Sequence, residues 1–335
     1  MGVWARLFGA AAVMLAACGA HAQDAAWDAV VAKAKGEGKL LIYNGTNFPV
    51  VRKIAQAMQQ DTGIPVEVLD GRASEIRERI RIEQATNKTV ASLAYSGRTT
   101  LYTQTQEGVF QKPGPLPNFK SITPEFATED TVVYGSVGAY ALLYNTSLVK
   151  PDDVPKSYKD LLNPRWQGKI LSDDLRAAGA GNVWFEATLD AFGREFHDKL
   201  AAQKIVFTRD FPEAERRVAR GEYTLYIPFN VSEYHSLQGL PIKAVQFSEG
   251  MAYVALGGAI LRDAPAPNAA RVYLNYLLSP KAQAMLAKEG FKPAVPGYEK
   301  EAPPEVVPLL SGRLFGTTTP GRQAETLKLA SEIYK

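Results

Sequence analysis

The sequence predicts an α/β protein built on doubly wound sheets, and three observations carry that prediction. Apolar runs of strand length recur from Leu40 onward, amphipathic helical stretches separate them, and the early strand runs all leave through a glycine. Parallel strands need a crossover long enough to hold a helix, so this alternation is the pattern of βαβ units.

LLIYNG, Leu40 to Gly45, is a buried-strand run ending in a turn. In NFPVVRKIAQAMQQDTG, Val50, Val51, Ile54, Ala57 and Met58 share one helical face, Pro49 suits the first turn and Gly63 the stop. IPVEVLDG is a second strand, and ASEIRERIRIEQATN a second helix with Ile76 and Ile80 four apart. VASLAYSG is a third strand, and TTLYTQTQEG begins another helix. KPGPLPNFKSITPEF is a proline-rich surface connection. TVVYGSVGAYALLYN is a strand-like run too long for one tight element, long enough to cross between two lobes. After the compact SYKDLLNPRWQGK, ILSDD starts a fourth strand exit, and Phe185, Leu189, Phe192, Phe196 and Leu200 mark an amphipathic helix. KIVFT reads as a strand, EAERRVARGEYTLYIPFN as a charged helix and a strand, and KAVQFSEGMAYVALGGAIL as further strand. Two helices follow, the second with Ser279 as N-cap, Pro280 in the first turn and Gly290 as stop.

The chain has 335 residues, 46% hydrophobic and 22% charged, enough for two domains with a sizeable core. A net charge of +3 points to neither nucleic acid nor a membrane surface as partner. At the start, MGVWAR is followed by the short apolar run LFGAAAVMLAA, which predicts an export signal over residues 1–22. Ala20-His21-Ala22 reads as one cleavage site, and Leu15-Ala16-Ala17-Cys18 as a lipoprotein box that leaves an acylated Cys18. Either way the expected location is the periplasm, soluble or lipid-anchored through Cys18. Cys18 is the one cysteine, so a disulfide framework, a thiol nucleophile and a cysteine metal site are all excluded.

The strand exits Asn44-Gly45-Thr46, Asp70-Gly71-Arg72 and Ser96-Gly97-Arg98 mark one side of a candidate site, because open α/β sheets bind ligands outside the carboxyl ends of their strands. ILSDDLRAAGAGN marks the other. Asp173 and Asp174 are consecutive, point to opposite faces of a strand and make a poor acid–base pair. No G-x-S-x-G, H-E-x-x-H or Walker A motif occurs, and Ser147-Leu148-Val149-Lys150 matches S-x-x-K without its companion motifs. The small residues Ala177 to Asn182, just before a helix, could turn their N–H groups toward an anion, with Arg176 as a forked donor. His197, beside Phe196, reads as a surface residue rather than a ligand.

SYKDLLNPRWQGKI, ARGEYTLYIPFN and AARVYLNYLLSPKAQAMLAKEGF together resemble the bacterial extracellular solute-binding proteins of ABC importers, in the branch with ferric-ion, phosphonate and sugar-phosphate binders. The resemblance covers nearly the whole mature chain. It implies a two-lobed type II periplasmic-binding-protein fold, doubly wound sheets with a cleft between lobes, no catalysis and a permease partner in the inner membrane. Ferric binders of the branch use two adjacent tyrosines after a segment like ARGEYTLYIPFN; the matching positions here are Val231 and Ser232, flanked by Tyr226 and Tyr234.

The expected protein is therefore a monomeric periplasmic receptor, not an enzyme. It delivers a small, anionic organic solute (phosphonate, phosphate ester or carboxylate) to an ABC importer; a ferric-ion receptor or a periplasmic enzyme are the alternatives. No cofactor and no resident metal are expected. Residues 27–132 with roughly 250–300 form one lobe, and 133–249 with roughly 301–335 the other. The expected ligand contacts are Asn44, Thr46, Arg72, Ser96, Arg98, Arg176, Gly179, Ala180, Gly181, Asn230 and Ser232, with Tyr43, Tyr95, Tyr140 and Tyr226 as candidate walls.

Overall fold

The computed structural model describes residues 25–127, 129–319 and 321–335. The predicted export segment, Cys18 included, lies outside them. A helix over residues 25–36 (α1) leads into β1 (Leu40–Asn44), α2 (Pro49–Thr62), β2 (Val66–Asp70), α3 (Ala73–Ala85), β3 (Leu93–Gly97), α4 (Arg98–Gln106) and β4 (Phe110–Gln111). After single-turn 3₁₀ pieces comes β5 (Val132–Asn145), then β6 (Ile170–Asp173), α5 (Ala180–Ala201), β7 (Val206–Thr208), α6 (Phe211–Ala219), β8 (Leu225–Asn230), β9 (Ile242–Val245) and β10 (Met251–Leu261). The chain ends with α7 (Pro267–Leu277), α8 (Pro280–Lys288), β11 (Lys292–Pro293), α9 (Val307–Leu310), β12 (Leu314–Gly316) and α10 (Gln323–Ile333).

Local chemistry explains the element ends. Pro49 opens α2, whose Val50, Val51, Ile54 and Met58 are buried, and Gly63 stops it in the left-handed region at φ 74°. The Ser279 side chain accepts from the Ala282 N–H at the start of α8.

The strands run in the order β2-β1-β3-β10-β5-β8-β6-β7, with β4, β9, β11 and β12 attached at the side. Two parallel blocks, β2-β1-β3 and β8-β6-β7, flank a central antiparallel pair formed by β10 and β5. The long run predicted to be more than one element is a single strand, and it does cross. β5 contributes Val132 to Val137 to a first hydrophobic core and Ala139 to Tyr144 to the two core clusters beyond it. β10 divides in the same way, with Met251 and Ala252 on one side and Ala255 to Leu261 on the other. Gly257 is required where these strands shift register, because a Cβ there would stand 2.3 Å from the Val133 carbonyl oxygen. Two lobes joined by crossing strands result, each burying its own core.

His197 departs from its surface expectation. It is fully buried on α5, and its ring meets Thr188 Oγ1 at 3.1 Å and the Tyr334 hydroxyl at 2.8 Å. The segment after α10 supplies Tyr334 and covers what the helical pattern alone would leave outside.

Candidate functional site

A cavity of about 400 Å³ opens between residues 46–49 on one side and β5, β8 and the starts of α5 and α6 on the other. The turn after β1 is fixed by Asn44, fully buried, whose Oδ1 accepts from the Thr46 N–H at 3.1 Å and from the Thr46 hydroxyl at 2.6 Å. Its Nδ2 donates to Asp70 at 2.7 Å, tying together the exits of β1 and β2. Thr46, Asn47, Phe48 and Pro49 thereby face the cavity as a rigid rim.

Across the gap, Gly179 and Ala180 form the start of α5. Gly179 adopts φ 154°, ψ −161°, a region essentially confined to glycine. The small-residue cradle already holds an anion of its own. Asp173 Oδ2 accepts from the Gly181 N–H at 2.6 Å, so that amide faces a built-in carboxylate rather than a guest. Burial pushes the Asp173 carboxyl up to about 6, opposed by that hydrogen bond.

The floor carries Tyr140 from β5, Tyr226, Pro228 and Asn230 from β8, Glu233 just beyond, and Phe211, Pro212 and Glu215 from α6. Asp210 caps α6 by accepting from the Glu213 N–H at 3.0 Å, which sets Phe211 and Glu215, four apart, on one face. Glu215 is 5% exposed, yet among the described residues its carboxyl has no hydrogen bond or ion pair. Burial, and then the nearby Glu233 charge, push it up to about 8. Burial raises Glu233 as well. The Tyr226 phenol is raised by burial and by Asp173, Glu215 and Tyr140; the Tyr140 phenol by burial and Asp173. These five acids form one electrostatically linked cluster, and among the described residues no lysine, arginine or histidine lines the cavity.

Of the predicted contacts, Thr46, Gly179, Ala180 and Asn230 line this cavity, and Asn44 supports its rim. Gly181 is turned to Asp173. Ser96 is buried behind Gly45, where its Oγ would lie 3.2 Å from an added Cβ. Ser232 is buried with no partner for its hydroxyl among the described residues, and its N–H donates to Asn230 Oδ1 at 3.3 Å. None of the three arginines lines the cavity. Arg72 has a side chain 82% exposed, near Glu75. Arg98 donates to Glu129 at 3.4 Å. Arg176 grips Asp174 through Nε at 2.8 Å and Nη2 at 3.2 Å, donates to the Tyr334 carbonyl and lies over the Phe207 ring. Tyr43 donates to Glu83 at 2.6 Å and Tyr95 is buried in the core, so Tyr140 and Tyr226 are the two candidate walls brought to the cavity.

Sequence reasoning missed Glu215, Glu233, Phe48 and Phe211. One signal was available: Glu215 falls with Phe211 and Val218 on the apolar face of α6, where a carboxylate has no reason to be unless something meets it.

Two lobes joined by crossing strands, with a cleft lined from both, define the class of solute receptors. The chain belongs to the bacterial extracellular solute-binding proteins, the family whose sequence model matches residues 40–292, and has the type II fold of the receptors that serve ABC importers. It is 23% identical to iron uptake protein A1 of Synechocystis sp. over 79% of this chain and 78% of the relative. Among solved structures it is similar to iron-bound HitA from Pseudomonas aeruginosa (TM-score 0.71, 22% identity, 88% of this chain and 99% of that one). It is likewise similar to Trichodesmium IdiA/FutA in complex with iron and citrate (TM-score 0.74, 20% identity, 89% and 100%). Among the described residues no helix is long and apolar enough to cross a membrane.

Proposed function

We propose that this chain is a periplasmic receptor that captures a small, positively charged solute in its cleft and presents it to an ABC importer. One observation carries the reading. Glu215, Glu233, Tyr140 and Tyr226 face one cavity whose lining holds no lysine, arginine or histidine among the described residues, and the cavity walls have carried them out of water; Arg216 and His235, outside that lining, only partly oppose the rise that burial gives Glu215 and Glu233. Buried acids without partners are costly, and a cation from outside offsets that cost. The expected anion-binding chemistry loses support for the same reason: Arg98 and Arg176 are paired with Glu129 and Asp174, Arg72 extends into solvent, and none of the three lines the cavity.

Thr46, Gly179, Ala180 and Asn230 are the predicted contacts retained in this reading, with Tyr140, Tyr226, Glu215 and Glu233 added. In this reading residues 27–132 with roughly 250–300 form one lobe and 133–249 with roughly 301–335 the other, and β5 and β10, which contribute to cores on both sides, join them. Guest binding favours closure because both lobes touch the guest only when closed.

Ferric ion is a second reading, favoured by the relatives, whose names carry iron, and by the hard oxygen donors of the floor. The test is calorimetric titration of the purified chain with ferric citrate, amines and organic anions, beside Glu215→Gln. Cations should bind and release protons, with affinity falling at least tenfold in the variant. An organic anion bound equally well by both proteins would end the reading.

A further inference from the structure

Resting on that reading and going one step further, we infer that the cargo is an organic ammonium: a protonated amine on an apolar body, rather than a bare metal ion. Size is the first argument. A cavity of about 400 Å³ falls within the range of small-molecule pockets and equals the space of about a dozen water-sized groups. A bare ion with its ligand oxygens at about 2 Å leaves most of that space empty.

The second argument is the distribution of chemistry. Phe48 and Pro49 line one side of the cavity, and Phe211, Pro212 and Pro228 line the floor opposite, beside the acids. Phe48 is held edge-on against Phe291, with ring centroids 4.9 Å apart, so its position is set without a guest. Phe211 is 41% exposed, a large apolar side chain left at the mouth of a cavity. Two rings and three proline faces offer an apolar body what water does not, and aromatic faces also attract a cation.

The third argument is the donor inventory. Glu215 and the hydroxyls of Tyr140 and Tyr226 have no protein partner among the described residues, although all three side chains are at least nine-tenths buried. A primary ammonium supplies three N–H donors to such a set, and a quaternary one supplies none. Among the described residues no group of three or more His, Cys, Asp or Glu side chains is placed to hold a metal ion.

The experiment is a titration of the full mature chain with phenethylamine, with 3-phenylpropionate as the carboxylate of matching shape, with a short panel of aliphatic primary amines, and with ferric citrate. Phenethylamine or an amine of the panel should bind, 3-phenylpropionate should not, and binding should weaken at least tenfold in Glu215→Gln and several-fold in Phe211→Ala. Both changes sit at the cavity, so cooperative thermal unfolding at a temperature no lower than that of the parent protein serves as the control for folding. Saturation by ferric citrate with a tyrosinate charge-transfer band, and no binding of any amine, overturns the organic-ammonium inference and leaves the cation reading standing. Binding of 3-phenylpropionate in preference to the amines overturns both. Failure of every amine without iron binding overturns the inference as well.

Discussion

Two buried polar clusters of the second lobe invite comparison: the His197 network under α10 and the acid cluster of the cleft. Both are almost wholly withdrawn from water, with His197 and Thr188 at 0% exposure, Tyr334 at 3%, Tyr226 at 1% and Glu215 at 5%. They differ in satisfaction. Thr188 donates to the Trp184 carbonyl at 2.7 Å, so it accepts from His197 Nε2–H, which leaves Nδ1 to accept from the Tyr334 hydroxyl. The polar atoms of His197, Thr188 and Tyr334 thus find partners within the protein. In the cleft, Glu215, Tyr140 and Tyr226 find none among the described residues. A satisfied buried network holds elements together; an unsatisfied one facing a cavity waits for a guest.

That contrast predicts opposite mutational signatures. His197→Ala removes a packed ring and strips partners from two buried hydroxyls, so it should cost about 2–4 kcal/mol in urea unfolding while leaving guest affinity unchanged. A stability loss under about 0.5 kcal/mol would break the comparison at its firmest point.

The pH dependence should also differ in sign. Burial lowers His197 from its ordinary 6.5 to about 3, so between those values the unfolded chain holds the extra proton and stability falls as pH falls. Burial and Glu233 raise Glu215 from 4.5 to about 8, so between those values the native chain holds the proton and stability falls as pH rises. Glu215→Gln removes the second effect, and should raise stability by about 1–2 kcal/mol near pH 8 with little change near pH 5, read from urea midpoints at both pH values. An equal shift at both would mean that the carboxyl is not held protonated in the native cleft. Tyr334→Phe should cost about 1 kcal/mol, because His197 Nδ1 then lacks its donor but the ring packing survives.

Local signals made much of this molecule legible. The α2 stop at Gly63, the α8 cap at Ser279 and the reach of β5 between lobes are all written in contiguous residues. Thr46, Gly179, Ala180 and Asn230 were readable as cavity-lining positions because strand exits and helix starts have local signatures. The acid cluster that lines the cleft was not. It depends on where charges end up: Arg98 finds Glu129 thirty-one positions away, and Glu215 meets Glu233 only once α6 packs beside β8. His197 is buried by a segment 137 positions further on, which no helical periodicity reports.

Arg176 sharpens the comparison with the smallest expected effect. It sits in the stretch that reads most like an anion cradle, yet its guanidinium is committed to Asp174, to the Tyr334 carbonyl and to the face of Phe207. It is a third of the way exposed, so solvent screens the pair and its net worth is modest. Arg176→Ala should therefore lower stability by under about 1 kcal/mol and change guest affinity by less than about twofold. The informative measurement is affinity rather than stability. A tenfold loss for any guest would mean that the side chain leaves Asp174 to reach the cleft, and the line between the satisfied network and the waiting one would then have to be redrawn through β6 itself.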